Sequence, residues 1–443
     1  MISDVMFYLS NGIMLYALLV VVYACIRRPT DVRYTFLNLF RQRRRSGVTL
    51  LAITLGGIAV FIFGGFVDYT FWALREQTIR TNIGHIQLYK EGYLASGSST
   101  STLKFGIDNY DKVKNILLAD PELKPKIKAV TGQLEFNGII SQYEKGESTF
   151  FVGVGIEPES SLMLGSLDRI VSGSDLSRIE TQQTAIGSGV SAALSAGYGD
   201  WVDMLVVNAQ GGQNAMSSEV RGVFSSGIKE YDDTVIKLPL NTAQRLLETN
   251  EISKVIILLN DTAQTKDAEA RIKQLIAQNH LGLEMKTWDD LAVYYHQVVN
   301  LFEGIFFFIK AIVSVIVIFM IGNTLMMNVV ERTREIATLR ALGLTKGYIS
   351  RLFVLEGVII GMVGSLLSVV LGISLAELIN LHGIPMPPAP GYTQGFLAFV
   401  LWTEDINLFW FSCALPLVTA VIASIIPARK AANLVIAEAF RFV

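Results

Sequence analysis

The side chains that could do chemistry in this sequence are few, and most are badly spaced for it. Four histidines, His85, His280, His296 and His382, are scattered, and none forms the H-E-x-x-H pair that sets two zinc ligands on one helix face. No serine sits in a G-x-S-x-G elbow. A Walker A loop needs a glycine-rich turn closing on Gly-Lys-Ser/Thr, so that backbone N–H groups and the lysine meet the phosphates. Neither "GLTKGY" from Gly343 nor "GSGVSAALSAGYGD" from Gly187 has that order, and the latter reads as turns in a β-rich region. No catalytic, cofactor-binding or metal-binding residue is therefore expected. If ATP drives this chain, another subunit must bind it.

Two charged features remain. Glu356 lies just inside an apolar run, and a carboxylate within a membrane segment is a functional candidate. Its alternative is a plain ion pair with Arg351, about a turn away. The second feature is "ERTREIATLRALG", residues 331–343, which follows a long stretch with hardly a charge. Glu331, Arg332, Arg334 and Glu335 would together cost roughly 10 kcal/mol at the centre of a bilayer, so the segment must stand outside it. As a helix it pairs Glu331 with Arg334 and Arg332 with Glu335, which helps solubility more than stability. On the other face Ile336, Leu339 and Gly343 recur at i, i+3 and i+7, with Ala337 and Ala341 beside them. Arg340 suits the C-terminal dipole, and Gly343 suits a left-handed cap. The stripe reads as a docking element for a cytoplasmic partner, with a solvated turn as the alternative.

The elements that must hold these residues are membrane spans. The 443 residues are 51% apolar with a net charge of −2, which leaves no nucleic-acid footprint. Roughly 20 apolar residues cross the hydrocarbon core. Runs of that order occupy 5–26 (in an N-terminal segment 1–27), 48–72, 299–330, 352–380 and 406–426. Cys25 and Cys413 lie in such runs and read as unpaired packing residues. Gly357 and Gly361 form GxxxG, extended by Gly364, and such small residues let helices approach closely, within one subunit or across a dimer.

Short loops keep their Lys and Arg in the cytoplasm. That rule places there the basic segment 28–47, the 331–351 segment and the tail 427–443. Within the first, "DVRYTFLNLFRQRRRS" reads as an interfacial helix. The loop 381–405 has no Lys or Arg and belongs outside, together with residues 73–298. The run 5–26 has Asp4 before it and Arg27 and Arg28 after it, the reverse of a signal peptide. It reads as a retained anchor with its N-terminus outside, or alternatively as a tilted, peripheral helix.

The outside region repeats a pattern. "GHIQLY", "DNYDKVKNILLAD" and "KIKAVTGQLEFNGIIS" read as strand, helix and strand, separated by a flexible "ASGSSTST" loop; "KVIILLND", "TAQTKDAEARIKQLIAQNH" and "GLEMKTW" repeat the order. The two units flank a smaller β-rich section at about 141–240, which suggests one split α+β domain with an insertion. From "DDLAVYYHQVV" a helix is expected to run unbroken into the 299–330 span, because no Gly or Pro interrupts it before Gly304.

Three stretches resemble the FtsX-like permeases of ABC systems, a family that includes MacB-type exporters and the LolC/LolE lipoprotein-release subunits. They are "ERTREIATLRALGLTKGYISRLFVLEGVIIGMVGSLLSVVLG" (331–372), "NLFRQRRRSGVTLLAITLGG" (38–57) and "IIPARKAANLVIAEAFR" (425–441). The resemblance implies an integral membrane α-helical fold with a large α+β periplasmic domain that contains a β-rich insertion. The family has four core spans, and the run 5–26 adds one extra N-terminal span. The resemblance also implies that Glu331 to Gly343 dock on a separate cytoplasmic ABC ATPase dimer that binds ATP and Mg. A second permease subunit, identical or not, would complete a dimer, and ATP-driven closing would move the external domains through stiff stalks, a mode called mechanotransmission. The implied substrates are lipophilic or amphipathic, such as a lipoprotein, antibiotic or peptide, handled at the periplasmic side of the inner membrane. A periplasmic adaptor or outer-membrane channel is a further partner. The alternative is a signalling relay that moves no substrate and regulates a periplasmic cell-wall enzyme.

Overall fold

The computed structural model describes residues 29–41, 43–95, 105–161, 168–177, 182–387, 395–402 and 406–434. The anchor expected at 5–26, most of the "ASGSSTST" loop and residues 435–443 of the tail lie outside the described residues. The chain divides into a membrane unit (residues 1–71, 298–385 and 397–443) and a sheet unit (72–297 and 386–396).

Six helices carry the membrane unit among the described residues: α1 (Pro29–Arg41), α2 (Arg43–Thr78), α3 (Val293–Glu331), α4 (Thr333–Ala341), α5 (Lys346–Asn380) and α6 (Ile406–Ala432). α2, α3, α5 and α6 are long and apolar enough to cross a membrane. Glycines set how closely they pack. A Cβ on Gly357 would stand 2.6 Å from Ser424 Cβ, one on Gly361 2.7 Å from Ala420 Cβ, and one on Gly364 3.0 Å from Ile53 Cβ. The first two therefore seat α5 on α6, and the third seats α5 on α2, all within this chain. Thr49 and Thr324 join α2 to α3 by a hydroxyl pair at 2.7 Å. Ile53, Ile321, Leu325, Ile360 and Ala420 form the shared core. Only 11% of the apolar stretch of α3 is buried, against 44% for α2, so most of its apolar side is left to lipid or to another subunit.

The sheet unit is built on one ten-stranded sheet. Its strands are β1 (Ile86–Lys90), β2 (Ile127–Gln142), β3 (Glu147–Ile156), β4 (Arg169–Gly173), β5 (Gln183–Gly187), β6 (Trp201–Val207), β7 (Gln213–Ser225), β8 (Val235–Pro239), β9 (Lys254–Leu259) and β10 (Leu283–Thr287). The order is β10-β1-β9-β2-β3-β8-β5-β7-β4, with β6 pairing β2 and β7. The 141–240 section does not form a sheet of its own. β2 runs for 16 residues, ladders with β9 over Ile127–Gln133, and then with β6 over Gly138–Ser141. One long strand thus carries both halves. The halves do bury separate cores, one around Ile140, Met204 and Ile236, the other around Leu88, Ile257 and Ile272. Helices Tyr110–Ala119 and Thr265–Gln278 cover the second core through Val113, Leu117, Ala268 and Ile272. Asp120 links them by accepting from Arg271 Nη2 at 2.6 Å, and this guanidinium holds the Asp120 carboxyl below its usual range.

Two local expectations are corrected. Part of the glycine-rich stretch read as turns is a helix, Ser188–Leu194, because Val190 and Leu194 fall on one buried face. The helix expected to run unbroken from Asp289 is interrupted at Ala292 (φ −84°, ψ 55°), and α3 starts at Val293. No Gly or Pro is needed for this break. Thr287 and Asp290 form a reciprocal capping box that starts a separate turn, Trp288–Leu291. His296 Nε2 then meets the Asp289 carbonyl at 2.8 Å.

Candidate coupling site

The segment 331–343 is positioned by its own punctuation. α3 ends at Glu331, Arg332 leaves helical geometry (φ −101°, ψ 14°), and α4 begins at Thr333. α4 closes in a Schellman motif: Gly343 has φ +96°, its N–H reaches Arg340 O at 3.1 Å, and Leu344 N–H reaches Leu339 O at 3.2 Å. Thr345 then caps α5 by accepting from Tyr348 N–H.

α4 has two different sides. Ile336 and Ala337 are buried, and Ile336 and Leu339 pack with Val329, Ile349, Phe353, Ala428 and Ala431 of the neighbouring helices. The apolar stripe expected to meet a partner is therefore used inside this chain. Arg340 is also turned inward and donates to the Ala432 carbonyl at 2.6 Å, capping the end of α6. Glu331, Arg334, Thr338, Ala341, Leu342 and Gly343 face outward, with Leu342 77% exposed.

Arg332 is the hub of a polar cluster beneath α4. Its Nε is 3.0 Å from Glu335 Oε2, its Nη2 donates to Tyr34 OH at 3.0 Å, and its Nη1 lies 3.6 Å from Glu356 Oε2. The guanidinium also sits over the Tyr34 and Phe353 rings, at 5.7 and 5.6 Å from their centroids. Glu356 is 3% exposed and accepts from Asn328 Nδ2 at 2.9 Å. Tyr34 OH donates to Glu335, and Tyr348 OH donates to Asp31 at 2.7 Å, so two tyrosines fasten α1 to α4 and α5. The space enclosed by Tyr34, Arg332, Ile336, Phe353 and Glu356 is about 10 Å³, room for one water at most. This cluster is a joint and not a ligand pocket.

Two sequence readings change here. Arg332 and Glu335 do form the i, i+3 pair, but as part of a largely enclosed network and not as a solvated solubility device. Glu356 has Arg332 as its cationic partner, while Arg351 is exposed. Sequence reasoning missed Asp31, Tyr34, Asn328 and Tyr348. Asn328 carried a usable signal: it is an amide in an apolar run, one turn before Arg332.

A family model described as FtsX-like permease C-terminal matches residues 307–436, and a MacB-like periplasmic core domain model matches residues 46–275, more than half of the chain. The chain belongs to the FtsX-like, MacB-type permease family. As an ABC transporter permease it is 26% identical over 324 residues to the lipoprotein-releasing system transmembrane protein LolE of Haemophilus influenzae, covering 70% of this chain and 76% of that protein. It is 26% identical over 235 residues to the uncharacterized ABC transporter permease YknZ of Bacillus subtilis, covering 52% of this chain and 55% of that one. It is 28% identical over 218 residues to the macrolide export ATP-binding/permease protein MacB of Wolinella succinogenes, covering 48% of the permease but only 31% of its relative. Among solved structures, the periplasmic region of MacB from Actinobacillus actinomycetemcomitans aligns at 16% identity and a TM-score of 0.36, over 51% of the permease and 95% of that chain.

Proposed function

We propose that this permease couples a separate cytoplasmic ABC ATPase dimer, which holds ATP and Mg, to extraction or export of a lipophilic or amphipathic substrate by mechanotransmission. The single observation that carries the reading is the two-sided α4: its apolar side is locked into the chain's own spans, and its outer side is presented at the head of two of them. A push on such an element is transmitted to α3, α5 and α6 because Ile336 packs against all three, Arg332 pairs with Glu356 of α5 and Arg340 caps α6. The docking face is then Arg334, Thr338, Ala341 and Leu342, and not the Ile336–Leu339 stripe. The cationic loops support α4 on the cytoplasmic side of the inner membrane and the sheet unit on the periplasmic side. The uncovered side of α3 suits a second permease subunit, identical or not. The lipoprotein-releasing relative supports a lipophilic or amphipathic cargo, and a periplasmic adaptor or outer-membrane channel would be a further partner.

The test is co-purification of the full chain in detergent with a co-expressed cognate ABC ATPase. Leu342→Asp with Arg334→Glu is expected to abolish capture while the permease still inserts and elutes as a folded particle. Undiminished capture would remove the docking face.

A further inference from the structure

One histidine of the sheet unit has no exposed surface at all. His85 Nδ1 accepts from Leu259 N–H at 3.1 Å, which places the ring proton on Nε2. Nε2–H then donates to Thr262 Oγ1 at 3.0 Å, and the Thr262 hydroxyl donates to Glu76 Oε1 at 2.7 Å, near the end of α2. The other Glu76 oxygen takes Arg80 Nε at 2.9 Å. Every link in this chain therefore has one direction. The backbone of the same histidine binds two further elements: His85 N–H donates to Ile257 O of β9 at 2.9 Å, and Trp288 N–H donates to His85 O at 2.9 Å.

The connection from Glu76 to His85 is equally constrained. It passes through a π-turn, Ile79–Ile83, closed by Gly84 N–H on Ile79 O at 2.8 Å. Gly84 has φ +66°, and a Cβ there would stand 3.2 Å from the Ile257 carbonyl and collide with Ile256. The glycine lets the end of α2 lie directly against β9.

We propose that His85 is the positioning residue of a rigid joint, wholly inside the sheet unit, that fixes the end of α2, β9 with its following turn, and the 288–291 turn to one another. The inference rests on the stroke described above: a helix end so fixed passes its displacement to the sheet instead of losing it in a linker. The joint needs the neutral ring, because a proton on Nδ1 would face the Leu259 N–H donor. The charged groups facing the ring are Glu76, Arg75 and Arg80 from the end of α2 and Asp261 from the turn after β9. Burial, the dominant influence, pushes the imidazole down to about 4, so the joint stays closed at neutral and mildly acid pH.

The test uses the full chain in lipid nanodiscs without any ATPase, with Cys25 and Cys413 replaced by serine. Spin labels at Trp72→Cys and Lys266→Cys report the distance from the helix end to the sheet's covering helix. One narrow distance is expected at neutral pH and is lost on acidification through about pH 4. Thr262→Val, which deletes the middle hydroxyl, should lose it at every pH. His85→Gln keeps a donor near the Nε2 position and does not titrate, so it should stay narrow in acid. An unchanged distribution in Thr262→Val, or an identical acid response in wild type and His85→Gln, overturns the proposal. Should Thr262→Val not fold, the acid comparison decides alone. Because no ATPase is present, failure here leaves the docking reading untouched, and loss of docking leaves the joint untouched.

Discussion

Arg332, in the break between α3 and α4, stands 3.6 Å from Glu356, one face of α5 away, and both side chains are nearly closed off from solvent. The pair joins the last residue before α4 to the interior of the span that follows it. A charged side chain in such a place is tolerable only with its partner, because the attraction must offset desolvation of both ions.

Removing one partner should therefore hurt more than removing both. Arg332→Met is expected to destabilise the membrane unit by about 3–5 kcal/mol, since it leaves Glu356 buried without its cation. The double variant Arg332→Met with Glu356→Met should recover most of that loss. Denaturant unfolding in detergent measures it, and additive single effects would argue against a coupled pair.

The tyrosine fastening of α1 is separable from the ion pair. Tyr348→Phe removes the hydroxyl bonded to Asp31, a link of ~1 kcal/mol or somewhat more because its acceptor is charged. Amide exchange across Pro29–Arg41 should rise about fivefold for each such kcal/mol, while exchange within α5 stays unchanged.

Two leucines in and just after α4 should behave oppositely. Leu339→Asp places a carboxylate against Ile349 and Phe353 and is expected to lower the melting temperature of the chain. Leu342→Asp, on a residue 77% exposed, should leave the melting temperature within error and act only on capture of the ATPase. Equal effects on melting would contradict the two-sided α4.

Close packing of α5 against α6 gives a steric prediction. Gly361→Leu must displace Ala420, whose Cβ is 2.7 Å from the new Cβ position, at a cost of about 1–3 kcal/mol or more. Pairing it with Ala420→Gly should restore part of the stability, as read by thermal unfolding in detergent.

Acid should weaken the sheet unit through His85. The folded-state value, about 4, lies below the ordinary 6.5, so the unfolded chain takes up the proton first. The stability contribution is complete above about pH 6.5 and declines as pH falls toward 4, by about 3 kcal/mol in all. Urea unfolding of the full chain followed by tryptophan fluorescence checks this, with His85→Gln expected to show a flatter slope over the same window.

Much of the architecture was legible because it rests on period and length. The apolar runs that became α2, α3, α5 and α6 announce themselves by hydropathy, and the strands at Ile86–Lys90, Ile127–Gln142 and Lys254–Leu259 by short or alternating apolar runs between turn-forming segments. What was not legible depends on contacts between residues distant in the chain. The spacing of Ile336 and Leu339 marks an apolar face without saying whether α6 or another protein covers it. Glu356 offered Arg351 as a near neighbour in sequence, and only the fold brings Arg332 and Asn328 to it. The interruption at Ala292 hid for a different reason: its cause, the Thr287–Asp290 box, lies upstream of a residue that is itself a good helix former.

The span of β2 across both cores restricts how this domain can be re-engineered or diversified. A graft of the 141–240 section from a relative would cut that strand at the last residue of its β6 ladder, Gly138–Ser141, and inside its β3 ladder, Gln133–Gln142, so that one strand would be assembled from two parents. Exchange boundaries set outside β2, so that donor and recipient keep the whole strand from one parent, should yield soluble chimeras, whereas junctions near Gly138 should yield aggregates.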